Sequence, residues 1–488
     1  MKQIPTIAAT DAAETIRTGS TVAMSGYAMA GYPKAIVHAL VERKEREPAF
    51  AFSLVTGANV PWLDRILGAA DMIKRRTPMI ADRALASRAN NGTLRYVEQQ
   101  MSRMPGLLRR GAFGPIEVAI VEALGFDNDG ALIPTSSVGM THHLMNAAER
   151  IIVEINRAQP EELRGLHDVY LPLPPPKTQP IPLTRVNQRI GATAIPVDSS
   201  KIVAVVETEI SERLDREPRG NDLTGRIAAH LFDFLEVEYR GWNGTLPPIQ
   251  TGFGSIANSV VDAFRDGPFR ELQFFCGGVT EPVMELLAAG KATALSMGGL
   301  GMSERIEEIL RGTPDIADRL VIRNGDITNG AEVIGRLGLI ALNTGIEIDI
   351  YGNVNSSHIA GSRVVNGIGG GAGFAQNAGL SVILIPSSAK EGAISNIVPI
   401  VSHNDIGEHD VDIVVTEHGI ADLRGLDEIE RAEAIIRNCS AGVYRDQLDA
   451  YLSAARTRCG GHHPQLPDEG FRWYRRLSEE GTMEEKNG

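Results

Sequence analysis

The first residue that could do chemistry is a carboxylate. Cys276-Gly277-Gly278-Val279-Thr280-Glu281-Pro282 reads as a strand end running through two glycines into a helix. Thr280 is placed to cap that helix, and Pro282 suits its first turn. Glu281 has a plain explanation there, because a helix dipole favours acids in its first turn. It also has a chemical one. Open α/β sheets hold ligands at the carboxyl ends of their strands, and a carboxylate in that position can act as a covalent nucleophile.

Two glycine-rich stretches could meet a ligand with their backbone. Gly252-Phe253-Gly254-Ser255-Ile256-Ala257-Asn258 lies between a strand and a helix. It lacks the last glycine of the dinucleotide fingerprint, so it is either an ordinary turn or a loop whose free N–H groups face an anion or thioester oxygen. From Gly367 to Gly373, five of seven residues are glycine. That density fits close approach of backbone to a ligand, or else a mobile surface loop. Lys390, in Ala389-Lys390-Glu391-Gly392, follows an apolar strand and is either a solvated lysine or an anion contact. His403, His409, Asp410 and Glu417-His418 raise the question of a metal, but their spacings match no metal-binding pattern. Serine-nucleophile, phosphate-loop and zinc-protease motifs are absent.

The elements that must position these groups alternate. Thr21–Ser25, Phe50–Thr56, Glu117–Glu122, Ile151–Ile155 and Ile202–Glu207 are short apolar runs suited to strands buried on both faces. Helical patterns at Pro33–Val41 and Thr141–Arg150 separate some of them. A charged stretch, Ser211–Asp222, is the best domain boundary, and the alternation restarts after it. Helices are expected at Arg226–Tyr239, Ser255–Phe264, Glu281–Ala289, Leu426–Asn438 and Tyr444–Ala455. The reading is two similar open α/β domains, over 1–215 and 223–460, followed by a polar tail at 461–488 that is loosely packed apart from Phe471–Leu477. Leu171–Thr178 carries four prolines and reads as an extended surface loop.

Composition narrows the partners. Lysine and arginine total 48 against 61 acids, a net charge of −13. Such a chain has no electrostatic reason to bind nucleic acid or an anionic membrane. Three scattered cysteines suggest neither a disulfide framework nor a structural zinc site. The N-terminal residues have no signal pattern and no apolar run reaches 18 residues, so a cytoplasmic enzyme acting on small molecules is expected.

Longer words then point to a family. Arg336-Leu337-Gly338, Ile340-Ala341-Leu342-Asn343, Asp349-Ile350-Tyr351-Gly352, Asn355-Ser356 and Asn366-Gly367-Ile368-Gly369-Gly370 come first. Ala389-Lys390-Glu391-Gly392, Glu408-His409-Asp410-Val411-Asp412 and Gly419–Leu426 complete the set. With them the chain resembles the acetyl-CoA hydrolase/transferase family of class I CoA-transferases, which includes succinyl-CoA:acetate and propionyl-CoA:succinate CoA-transferases. The first half matches more diffusely, through Val22–Gly26, Gly31–Ala35, Leu54–Ala58 and Lys201–Thr208.

The resemblance implies two α/β domains with the active site between them, and a homodimer. It implies Glu281 as nucleophile, Asn329 as an active-site amide, Gly370 as a backbone donor to the thioester oxygen, and Glu417 as a residue that helps hold the site. Gly252, Gly254, Ser255 and Ile256 fall on the coenzyme A turn, and Lys390 on a coenzyme A contact. Acyl-CoA would be a substrate, with no metal and no tightly bound cofactor. The implied activity is CoA transfer between acids through a glutamyl-CoA thioester. Acyl-CoA hydrolysis and a non-catalytic acyl-CoA sensor are the alternatives, with a dinucleotide dehydrogenase more distant. Val279, Gly330-Ala331 and Gly371-Ala372-Gly373 depart from the family pattern, and they leave the acyl group and the choice between transfer and hydrolysis open.

Overall fold

A computed structural model describes residues 4–214 and 218–485. The chain divides into two compact units, each an α/β layer structure. The first comprises Met1–Arg216, Glu271–Leu337 and Asn366–Gly373; the second comprises Glu217–Arg270, Gly338–Val365 and Phe374–Gly488. The division therefore differs from the expected 1–215 and 223–460. Strands from the middle of the chain pack with the first unit, so sequence continuity is a poor guide to the units. The centre of the expected boundary, Asp215–Glu217, and the last three residues of the expected tail lie outside the described residues.

The first unit is built on a parallel sheet. Its strand order is Arg95–Tyr96, Ile73–Thr77, Phe52–Thr56, Thr21–Met24, Ile116–Phe126, Ala148–Asn156 and Ile202–Thr208. Leu132–Pro134 adds an antiparallel strand beside Ile116–Phe126. The central strands are largely apolar because both faces are covered, and Val22, Met24, Leu54, Val118 and Ile120 are buried with Ile36 and Leu40 of a covering helix. A second run of parallel strands in this unit is ordered Leu272–Val279, Ala292–Leu300, Leu320–Arg323 and His167–Asp168. Val279 lies in register with Leu300, so both strands end at the same level.

In the second unit Ile249–Thr251, Ile340–Thr344, Leu380–Leu384 and Ile413–Thr416 are parallel neighbours, and Gly419–Asp422 adds an antiparallel edge. Helices Asp222–Glu238, Ser255–Asp266, Glu428–Cys439 and Gly442–Arg458 belong to this unit. Among the described residues no helix is long and apolar enough to cross a membrane.

Two expectations need correction. The helix expected at Pro33–Val41 runs Ala35–Arg46. It starts late because buried Glu154 accepts hydrogen bonds from the N–H groups of Lys34, Ala35 and Ile36, and so caps the helix from another strand. The helix expected at Thr141–Arg150 stops at Ala147. Ala148 and Arg150 instead pair with Ile116 and Val118 in the sheet. In the tail, the segment Phe471–Leu477 that stood apart in the sequence falls on the helix Arg472–Glu480, which buries Trp473 and Tyr474, and Tyr474 donates to the Ile400 carbonyl at 2.8 Å.

Candidate active site

Glu281 opens the helix Glu281–Ala288, directly after the strand Leu272–Val279, with Thr280 as cap residue in extended backbone. The next strand, Ala292–Leu300, returns parallel to the first, and Gly301 N–H donates to the Val279 carbonyl at 3.0 Å. This closes the mouth of the βαβ unit and brings Ser303 beside the acid. Ser303 Oγ donates to Glu281 Oε2 at 2.7 Å. The same serine caps the helix Glu304–Gly312 and accepts from Ile306 N–H at 3.2 Å. Glu281 is half-buried, and among the described residues its Oε1 has no hydrogen-bond partner. One oxygen is thus held, and among the described residues the other is left open.

Asn329 follows a short helix, Gly325–Thr328, and is 3% exposed. Its Oδ1 accepts from the Tyr27 hydroxyl and from Thr328 Oγ, the latter at 3.1 Å. Burial holds the Tyr27 phenol well above its ordinary range, so it stays a donor. Oδ1 is doubly occupied by donors, and among the described residues the amide nitrogen has no hydrogen-bond partner. Nearby, Asp326 accepts from His143 at 2.6 Å and Asn324 at 2.9 Å, and pairs with Arg109 at 3.3 Å. Burial alone would raise the Asp326 carboxyl. The His143 and Asn324 hydrogen bonds and the Arg109 charge hold it below its usual range instead.

Gly370 sits just before the helix Gly371–Asn377. Its neighbours are tied down: Ile368 N–H donates to Glu98 at 2.7 Å, and the Gly369 carbonyl accepts from Met101 N–H at 3.1 Å. The glycine run is thus an anchored loop, and Gly369 takes a left-handed φ of 60°.

The second unit holds the remaining candidates. Gly254, at φ 105°, caps the helix Ser255–Asp266. A side chain added at Gly252 or Gly254 would meet nothing within 4 Å, so this turn faces open space. Ser255 and Ile256 are half-buried in the first helical turn. Lys390 and Glu391, both with left-handed backbone, form the tip of a hairpin between Ser388–Ala389 and Ile394–Ser395. Lys390 is exposed and has no acid partner among the described residues. Glu417 anchors this hairpin: its carboxylate accepts from Ser387 N–H at 2.9 Å and Ser387 Oγ at 2.6 Å.

Glu281, Asn329 and Gly370 therefore share one unit, while Gly252, Gly254, Ser255, Ile256, Lys390 and Glu417 share the other. The sequence reading missed three partners, Ser303, Tyr27 and Ser387. Only Ser303 carried a local signal, as a serine followed by Glu304 at the start of an amphipathic helix.

Comparison with known proteins gives matching family models at both ends of the chain. The acetyl-CoA hydrolase/transferase N-terminal domain covers residues 3–207, and the C-terminal domain of the same name covers 307–452. A succinyl-CoA:acetate CoA-transferase of Clostridium kluyveri is 36% identical over 97% of this chain and 89% of its own. A propanoyl-CoA:succinate CoA transferase of Escherichia coli is 36% identical over 97% and 98%. An acetyl-CoA hydrolase of Eremothecium gossypii is 35% identical over 95% and 93%. The solved 4-hydroxybutyrate CoA-transferase of Porphyromonas gingivalis superposes with a TM-score of 0.64 at 21% identity, over 92% of this chain and 97% of that one, and shares the fold.

Proposed function

The chain belongs to the acetyl-CoA hydrolase/transferase family, and we propose that it moves coenzyme A from an acyl-CoA to a carboxylic acid through a thioester on Glu281. The observation that carries this reading is the Glu281 carboxylate, held by Ser303 on one oxygen and free on the other at the carboxyl end of a parallel strand.

The chemistry follows from that geometry. The free oxygen of Glu281 attacks the acyl-CoA carbonyl, the C–S bond breaks, and CoA leaves as thiolate. The product is an acyl-glutamyl anhydride. The thiolate then attacks the glutamyl carbonyl of that anhydride and releases the first acid as its carboxylate. A second carboxylate attacks the glutamyl-CoA thioester, and the same two steps in reverse yield the new acyl-CoA and restore Glu281. The developing oxyanion needs fixed donors. The Gly370 N–H and the Asn329 amide are our candidates, each worth about 3–4 kcal/mol in comparable sites. Lys390 and the turn at Gly252–Ile256 are our candidates for holding coenzyme A. A lysine and free backbone N–H groups suit its phosphates.

A second reading is favoured by the hydrolase among the relatives. Water would attack the same anhydride, and free acid and free coenzyme A would result. One experiment separates the two. The protein is mixed with acyl-CoA without an acceptor acid, and the peptide containing Glu281 is weighed. With a transferase the peptide gains the mass of coenzyme A less one water, the first acid is released only stoichiometrically, and no free coenzyme A appears. Sustained release of coenzyme A without acceptor supports hydrolysis. No adduct and no release would overturn both.

A further inference from the structure

A cavity of about 430 Å3 opens in the first unit, and Asn329, Gly330 and Ala331 form one wall of it. Another wall is drawn from residues 102–110. Arg103, Gly106 and Arg110 recur at helical spacing, so they share one face, and Arg109 stands beside them. Gly106 has a specific use here. A Cβ at this position would lie 3.1 Å from Arg110 Nη1, so the missing side chain leaves room for the guanidinium against the backbone.

The charge balance of this cavity is unlike that of the chain. Three arginines line it against one acid, Asp326, in a protein of net charge −13. Asp326 is already taken by His143, Asn324 and Arg109. Among the described residues Arg103 and Arg110 have no acid partner. The Asn329 amide nitrogen likewise meets no protein acceptor, because its Oδ1 is the atom fixed by Tyr27 and Thr328. The cavity therefore offers a neutral donor on one wall and two unspent guanidinium groups on another.

We propose that this cavity is the subsite for the acid, and that it selects dicarboxylic acids of more than four carbons. The inference rests on the CoA-transfer reading for the identity of the reacting carboxyl group. That carboxyl lies at the Asn329 amide. The distal carboxylate lies on Arg103 and Arg110, whose planar forks match a carboxylate with two parallel hydrogen bonds each. Size supports the longer chain. Ligand cavities of about 300–1,000 Å3 take molecules of drug size, and a four-carbon acid would leave most of this one empty. Ala331 puts only a methyl group on the same wall.

The test measures binding and turnover separately on the whole enzyme. Dicarboxylates of four to eight carbons and monocarboxylates of equal length are titrated by calorimetry without coenzyme A. The expected result is a preference of about tenfold or more for the six- to eight-carbon dicarboxylates, the worth of one charge-assisted contact. In the double variant Arg103→Ala/Arg110→Ala that preference should fall to near unity, and Arg103→Lys/Arg110→Lys should keep part of it. Equal binding of the two series, or a preference that survives the double alanine variant, overturns the subsite. Transfer from acetyl-CoA is then assayed with the same acids. A retained binding preference with no turnover to any acid leaves the subsite standing and overturns the transfer reading instead.

Discussion

Tyr27 donates its phenolic hydrogen to the side-chain carbonyl of Asn329, and the fold makes unusual room for it to do so. The ring lies against glycines on two sides. A Cβ at Gly139 would fall 2.3 Å from Tyr27 Cβ, and one at Gly298 would fall 2.5 Å from its ring. A Cβ at Gly299 would meet the Tyr27 carbonyl oxygen at 2.2 Å. Ala28 and Met29 follow with left-handed backbone, a strained turn that brings the Ala30 N–H back to the Tyr27 carbonyl at 3.1 Å. Close packing, strain and a buried hydroxyl converge on one amide.

Tyr27→Phe keeps the ring in that seat and removes only the hydroxyl. Thr328 still donates to Asn329, so the amide loses half of its orientation. A lost buried hydrogen bond costs about 1–3 kcal/mol. If the amide serves the reaction, kcat/KM should fall about tenfold or more for every acyl donor. A structural role alone would lower Tm and leave kcat/KM unchanged at a temperature where both proteins are folded. Steady-state kinetics beside a melting curve decides between them.

Lys390→Ala should raise KM for the acyl-CoA donor and leave kcat nearly unchanged, because an exposed side chain at a hairpin tip supplies binding and not chemistry. Glu417→Gln should raise the same KM indirectly. It weakens the two hydrogen bonds from Ser387 that anchor the hairpin, at 2.9 and 2.6 Å. An unchanged KM in both variants would remove the hairpin from the coenzyme A contact.

Much of this was readable in the sequence, for local reasons. Glu281–Ala288 and Leu272–Val279 announce themselves through a proline in the first turn, a cap residue and an apolar run. What stayed hidden depends on distant partners. Nothing near Tyr27 says that it meets Asn329, 302 residues away. Nothing near Ala35 says that Glu154 will cap its helix. The arginines at 103, 109 and 110 look like a solvated helix face until the fold sets Asn329, Gly330 and Ala331 on the same cavity. The partner of the tail helix was hidden for a similar reason, since Tyr474 finds its carbonyl acceptor at Ile400.

His167 should make stability depend on mild acid. It is fully buried, its Nε2 lies 2.8 Å from the Thr135 carbonyl, and burial lowers its pKa to about 4. In the unfolded chain the same group titrates near 6.5. The unfolded state therefore binds more protons between these values, and stability falls as pH falls. The contribution is fully present above pH 6.5 and drains away toward pH 4. Linkage puts the loss between pH 7 and pH 5 at about 2 kcal/mol. His167→Gln removes this dependence. Urea unfolding of both proteins at the two pH values should show the gap between them shrink by that amount on going to pH 5. A constant gap would mean that His167 does not titrate as a buried neutral ring.

The sharpest test of the proposed nucleophile, Glu281, uses its partner. Ser303 does two things at once: it donates to Glu281 Oε2 at 2.7 Å and it caps the helix Glu304–Gly312. Ser303→Ala loses both, so a fall in activity could be blamed on the lost cap, worth about 1 kcal/mol. Ser303→Asp separates them. Aspartate caps helices about as well as serine, but it cannot donate to a carboxylate, and it places a like charge beside Glu281. The helix should therefore survive, with Tm close to that of the unaltered protein, while Glu281 swings out of its held position. A misplacement near 1 Å can cost about 100-fold in rate, so transfer should drop by that order and the glutamyl-CoA adduct should cease to accumulate. Glu281→Ala is the companion variant. A first-turn acid contributes only about 0.3–1 kcal/mol to its helix, so the protein should stay folded with no transfer and no adduct. If Ser303→Asp transfers coenzyme A at the original rate, Ser303 does not position the nucleophile. If Glu281→Ala does so, Glu281 is not the nucleophile at all.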